Sequence, residues 1–270
     1  MFVTHKAENG VVYVTSDILK SKHAFSTRLG GVSKNEHTSA LNLAFNRGDD
    51  EKTVVENLCL FGGAVGFDPN KVISLPQIHS SIVIDADPSM GGEGYFKEPH
   101  SSCDGYVAVE KDIVLGVKTA DCVSILLEAY DENMEIIAVS AVHAGWRGTV
   151  SGVVKEAVLA LEKRGAESSR IRAAIGPSIG LCCFEVGKEV VDAVSDMLGK
   201  KYTDMFVDVR CGKSYVDLKG INMEILAECG VDAENIDVSK ECTYCSCEKY
   251  YSHRKTNGLR GTMLSVIGME

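Results

Sequence analysis

The chain has 270 residues, 45% hydrophobic and 24% charged, as expected of a globular protein with a core large enough to shelter a site. Its formal net charge is −10 and no lysine- or arginine-rich block interrupts the acidic balance, which argues against a nucleic-acid binder and against an anionic membrane surface. The opening MFVTHKAENG is polar and no apolar run approaches the ~20 residues that span a bilayer, so a cytoplasmic protein is expected, and local arginines leave room for an anionic small substrate.

Short β-branched runs mark the strands: KVISL (71–75), SIVID (81–85), IVLGV (113–117), VSILLEA (123–129), EIIAVSAV (135–142), IRAAI (171–175) and TMLSVI (262–267). Apolar residues are nearly continuous from 113 to 142, which predicts buried neighbouring strands. Residues 85–102 hold glycines and prolines without periodicity and read as a long loop, a common seat of function. Val150, Val153, Val154, Ala157, Val158 and Leu161 then share one helical face, with Thr149 as the expected N-cap and Gly165 as the stop. Two more helices are expected at 187–199 and 217–229. No linker or repeat divides the chain, so 1–270 reads as a single domain. Strands and helices mix without strict alternation, which favours an α+β fold with mixed sheets.

Residues with chemistry cluster at the ends of these runs. LPQIHSS places Gln77 and His79 just past a strand, and VKTADCVSILL places Asp121 and Cys122 between two apolar runs. HAGWRG (143–148) puts His143, Trp146 and Arg147 where a strand gives way to a helix. A helix start attracts anions and Arg147 offers a phosphate-shaped fork of donors, while a plain turn with Arg147 solvated explains the spacing equally well. If the strand ends converge, His79, Cys122 and His143 supply two imidazoles and a thiolate. That set leaves a fourth position open and suits zinc or copper rather than magnesium or calcium. The same residues also make a nucleophile–base pair, Cys122 with His143, which Asp121 or Gln77 would orient. A multicopper oxidase needs many histidines, usually in H-x-H pairs; this chain has seven and no such pair.

Ten cysteines in a cytoplasmic chain read as reduced core residues, ligands or nucleophiles. CTYCSC (242–247) contains C-x2-C, half of a zinc pattern, and no second C-x2-C or H-x3-H completes it. A dedicated structural zinc site is therefore not expected there.

The motifs together resemble one family. HAFSTRLGGVS, LNLAFNRGDD, LPQIHSS, CDGYV, KTADC, VHAGWRGT, IGPSIGLCCFEVG and YYSHRKTNG follow the order of the YfiH-type laccase-domain proteins, also called purine nucleoside phosphorylases or multicopper polyphenol oxidoreductases, from about residue 20 onward. The resemblance implies a four-layer α/β/β/α sandwich and one metal ion, usually zinc and otherwise copper, on His79, Cys122 and His143. It implies phosphorolysis of adenosine, inosine and S-methyl-5'-thioadenosine with adenosine deamination, by a monomer or homodimer, and a link to peptidoglycan editing. Arg147 is then the candidate for phosphate, and Asn42, Arg28 and Gln77 are weaker candidates for substrate contacts. Asp104 and Cys183 either line the same pocket or serve structure. A metal-free Cys–His amide hydrolase and a cell-envelope binding partner are the competing classes. The chain departs from the family at Ser124, Ser178, Phe184 and the SHRK of 252–255, none of which is an implied ligand.

Overall fold

A computed structural model describes residues 1–269. In chain order the elements are β1 (Phe2–Lys6), β2 (Val12–Ser16), β3 (Lys22–Ser26), α1 (Glu51–Val65), β4 (Val72–Ile73) and β5 (Val83–Asp85). Next come β6 (Gly105–Ala108), β7 (Val114–Thr119), β8 (Val123–Tyr130), β9 (Ile136–Ala144), α2 (Trp146–Val150) and α3 (Val153–Glu162). The chain continues with β10 (Ile171–Ile175), β11 (Glu185–Val186), α4 (Lys188–Leu198), α5 (Lys200–Phe206), β12 (Val207–Arg210) and β13 (Lys213–Val216). It closes with α6 (Leu218–Glu228), β14 (Ile236–Val238) and β15 (Met263–Gly268).

Two six-stranded sheets result, ordered β1-β2-β3-β15-β7-β4 and β14-β10-β8-β9-β6-β5, beside a small sheet β11-β13-β12. Both large sheets are mixed. The first is antiparallel except for β4 against β7, and the second has parallel pairs at both edges, β5 with β6 and β10 with β14.

Three apolar cores show how the layers stack. Val54, Leu58 and Phe61 of α1 pack on Ala24, Val72, Leu264 and Val266 of the first sheet. Phe25, Leu115, Val117 and Ile267 of that sheet meet Tyr106, Leu126, Val139 and Ala174 of the second. The far face of the second sheet, with Val123, Ile125, Leu127 and Val142, carries Val154, Ala157, Val158 and Leu161 of α3 and Ile221 and Leu226 of α6. Three interlayer cores mean four layers, α/β/β/α, as the resemblance implies. The same placement explains why VSILLEAY shows no alternation. β8 is covered on both faces, so all eight of its residues are buried.

Every sequence-predicted strand forms, and the helices expected at 187–199 and 217–229 are α4 and α6. The helix after HAGWRG differs. It starts at Trp146 with Gly145 as its N-cap and breaks at Gly152, whose φ is +79°. Thr149 is therefore not a cap. It is buried within α2 and accepts a hydrogen bond from Asn222 Nδ2 at 3.0 Å. The elements β1, β2, β3, α1, β6, α5, β14 and the small sheet were not foreseen.

Candidate metal centre

Two crossings between the sheets build the site. The chain leaves β4 in the first sheet and enters β5 in the second through the loop that carries His79. It crosses again from β7 to β8, and Cys122 lies in that turn. β9 pairs with β8 in the register Ser124↔His143 and Val123↔Ala144, which sets His143 beside the second crossing. The Nδ1 or Nε2 atoms of the two histidines and the Cys122 Sγ lie within 4.8 Å of one another. The two imidazole rings meet edge to face with centroids 4.8 Å apart.

The supports of this group are specific. His143 Nδ1 pairs with Asp104 Oδ1 at 2.8 Å, and both side chains are buried. The Asp104 carboxylate also accepts the backbone N–H of His79 at 3.0 Å, the N–H of Ser80 at 2.6 Å and the Ser80 hydroxyl at 2.7 Å. One carboxylate thus fixes two of the candidate ligands. It holds the His143 ring by Nδ1, which leaves Nε2 to face Cys122, and it clamps the turn in which His79 takes a left-handed φ of +59°. Although burial opposes its charge, hydrogen bonds from His143 and Ser80 hold the Asp104 pKa at about 2. Burial works against a charged His143 too, yet Cys122 and Asp104 beside it push its pKa up to about 9. His79 is lowered by burial and by the charge of His143.

Asp121, also left-handed at φ +89°, braces the other crossing. Its carboxylate accepts from Thr243 Oγ1 at 2.6 Å and from the N–H of Arg254 at 2.7 Å, so it does not orient an imidazole. Gly145 is required by close approach. A Cβ there would lie 2.6 Å from His79 Nδ1 and 3.3 Å from Cys122 Sγ.

The three candidate ligands line a cavity of about 840 Å³. Other walls carry aromatic (Phe45, Tyr95 and Phe96), cationic (Arg47, Lys97, Lys118 and Arg260) and acidic (Glu51 and Glu98) side chains. Lys118 Nζ sits 4.4 Å from the centroid of the Tyr95 ring, and burial lowers its pKa to about 8. Burial, then Arg47, draws the Arg260 pKa down to about 10. The buried Nε of Arg260 has no acceptor among the described residues.

The remaining sequence candidates scatter. Gln77 lines the cavity, but its amide is paired with the backbone N–H and C=O of Lys118 at 2.6 and 2.8 Å. Asn42 is fully buried and bonded to Ala44 O, Asp49 Oδ2 and the N–H of Thr262, so it braces the scaffold rather than facing the cavity. Arg28 donates to Ser39 O and Cys247 O over the Tyr251 ring, also away from the cavity lining. Arg147 is exposed, stacks 4.3 Å above Trp146 and is not part of the lining. Cys183 belongs to a second cysteine group elsewhere. Arg47, Lys118 and Arg260 were not singled out from the sequence. Lys118 and Arg47 do lie inside the quoted motifs KTADC and LNLAFNRGDD, where an isolated cation gives no sign of which way it faces.

With fold and site in place, comparison with known proteins assigns the family. Residues 22–270 match the family described as multi-copper polyphenol oxidoreductase laccase, and the chain belongs to it. It is 36% identical to "Adenosine deaminase RL5" of an unknown prokaryotic organism, covering 86% of this chain and 88% of that one. It is 34% identical to "Purine nucleoside phosphorylase YlmD" of Bacillus subtilis, covering 91% and 87%. The crystal structure of YlmD from Geobacillus stearothermophilus superposes with a TM-score of 0.90 at 28% identity over the full length of both chains. That of YfiH from Bacillus licheniformis gives 0.88 at 26%, covering 99% of each chain.

Proposed function

We propose that the chain is a zinc-dependent purine nucleoside phosphorylase, converting adenosine, inosine or S-methyl-5'-thioadenosine and phosphate to base and ribose 1-phosphate. Adenosine deamination would use the same cavity. The observation that carries this reading is the convergence of His79, Cys122 and His143 on the wall of a cavity that is aromatic and cationic as well. The donor set fits zinc: two imidazoles, of which one is fixed by a carboxylate, and one thiol, from the end of β9, the β7–β8 turn and the loop between β4 and β5. When bound, zinc supplies Lewis acidity and an open coordination position.

The chain's own residues do the rest. Phe45, Tyr95 and Phe96 offer flat apolar faces of the kind a purine stacks on. Arg260, with an unpaired buried donor, and Arg47 and Lys118 provide positive charge for phosphate inside the walls. This reading assigns the phosphate to these three rather than to the exposed Arg147, which lies outside the cavity lining. Asp104 holds the His143 tautomer throughout. Relatives named purine nucleoside phosphorylase and adenosine deaminase support both activities.

Cys122, His143 and Asp104 also line up as nucleophile, base and orienter, which favours a Cys–His hydrolase as the second reading. Chromatography of adenosine incubated with the protein, with and without phosphate, separates them. Adenine and ribose 1-phosphate formed only with phosphate support phosphorolysis. No turnover in either tube, with amide hydrolysis that chelators leave intact, would replace it with the hydrolase.

A further inference from the structure

A second group of metal-ligating side chains lies outside the cavity lining. Cys182 and Cys183 sit in the loop after β10, and Cys242 and Cys245 sit in the loop after β14. β10 and β14 are adjacent and parallel, so both loops leave the sheet on the same side. They stay together: Ser178 pairs with Cys242 as a bridge, and the N–H of Thr243 donates to Ser178 O at 3.1 Å.

All four sulfurs lie within 4.8 Å of one another. Cys245 Sγ is 3.7 Å from Cys182 Sγ and 3.4 Å from Cys183 Sγ. Four thiolates around one tetrahedral zinc ion at ~2.3 Å stand about 3.8 Å apart, whereas a disulfide holds its sulfurs near 2.05 Å. The N–H of Gly180 donates to Cys242 Sγ at 3.2 Å, the kind of outer contact that steadies a ligating thiolate. Packing does not account for the group, because Cys182 and Cys245 are exposed where small hydrophobes would be buried.

We propose that Cys182, Cys183, Cys242 and Cys245 form a structural tetrathiolate site for one zinc ion, separate from His79, Cys122 and His143. All four positions are filled by protein, so the site is closed rather than catalytic. Each ligating thiol releases its proton to solvent and no oxidant is needed. The ion ties together the two loops that brace the second sheet crossing. The N–H of Ile179 and the hydroxyl of Thr243 both bond Asp121, the neighbour of Cys122. The adjacent pair Cys182–Cys183 thus supplies the half that CTYC lacks in the sequence.

The test measures metal on a chain whose first site is disabled. H79A/H143A protein, expressed in zinc-supplemented medium, should retain one zinc per chain by native mass spectrometry. The same protein with C182S and C245S added should retain none. Replacing zinc by cobalt in H79A/H143A should give intense thiolate-to-cobalt charge-transfer absorption. The unmodified chain provides a check that no folding defect can mimic. Bound zinc should protect these four cysteines from alkylation, and a chelator should expose them. A metal-free H79A/H143A chain, iron–sulfur absorption in place of zinc, or alkylation of these cysteines unaffected by zinc would each overturn the proposal. None of these outcomes depends on nucleoside turnover.

Discussion

Gly145 offers a test of the site's geometry with little interference from folding. Its φ of −68° and ψ of 169° suit any L residue, so alanine strains no backbone there. The added methyl would meet His79 Nδ1 at 2.6 Å, against at least 3.4 Å in ordinary contact. The ring must retreat by about 0.8 Å, well beyond the ~0.2 Å tolerance of a metal–ligand bond. Its backbone cannot yield, because the His79 N–H is held by Asp104 at 3.0 Å. The exposed ring therefore swings away from Cys122 and His143. A displacement approaching 1 Å costs on the order of 100-fold in catalysis, and a misplaced ligand weakens metal binding by roughly 10–100-fold. Stability should fall by no more than about 1 kcal/mol, a melting shift of only ~2–4 °C in a chain of this size. The assays are competitive zinc titration, kcat/KM for adenosine phosphorolysis and thermal unfolding of Gly145→Ala. Zinc affinity within twofold of the parent chain, with activity preserved, would refute the placement of His79 as a ligand.

Arg260→Ala should raise the phosphate KM roughly 10-fold or more, as expected for loss of a charge-assisted contact, while Arg147→Ala changes it little; phosphate saturation curves at fixed adenosine decide, and the reverse order returns the phosphate to Arg147. The Lys118 ammonium carries its charge below about pH 8 and loses it above, so the phosphate KM should climb through that pH in the parent chain and stay flat in Lys118→Arg. Asp104→Asn swaps one acceptor for a donor amid the His79, Ser80 and His143 donors, so unfolding should show a loss of about 2–3 kcal/mol and zinc titration about 10–100-fold weaker binding. Asn42→Ala should cost about 2 kcal/mol of stability in denaturant titration and leave the nucleoside KM unchanged, since its bonds all go to the scaffold.

The division between local and tertiary information is visible residue by residue. VSILLEAY suggests a strand buried on both faces, because it is short, largely apolar and without alternation, and β8 is buried throughout. Loop 85–102 declares itself by its glycines, and its Gly94 to Pro99 stretch does line the cavity. His79, Cys122 and His143 stand out as donors at strand ends, and the resemblance singles them out together. That they meet follows from the chain crossing between sheets at 79 and 122, a consequence of strand order that no local pattern encodes. The same holds for Asp104, Arg47, Lys118 and Arg260, whose direction relative to the cavity depends on layers assembled from distant segments. Asn42 and Arg28 show the converse. Polar residues inside a motif look available in sequence, yet folding pairs them with the protein's own backbone because buried polar groups must be satisfied. CTYC reads as half a site for the same reason. Its other half, Cys182 and Cys183, lies some sixty residues earlier and arrives only when β14 takes its place beside β10.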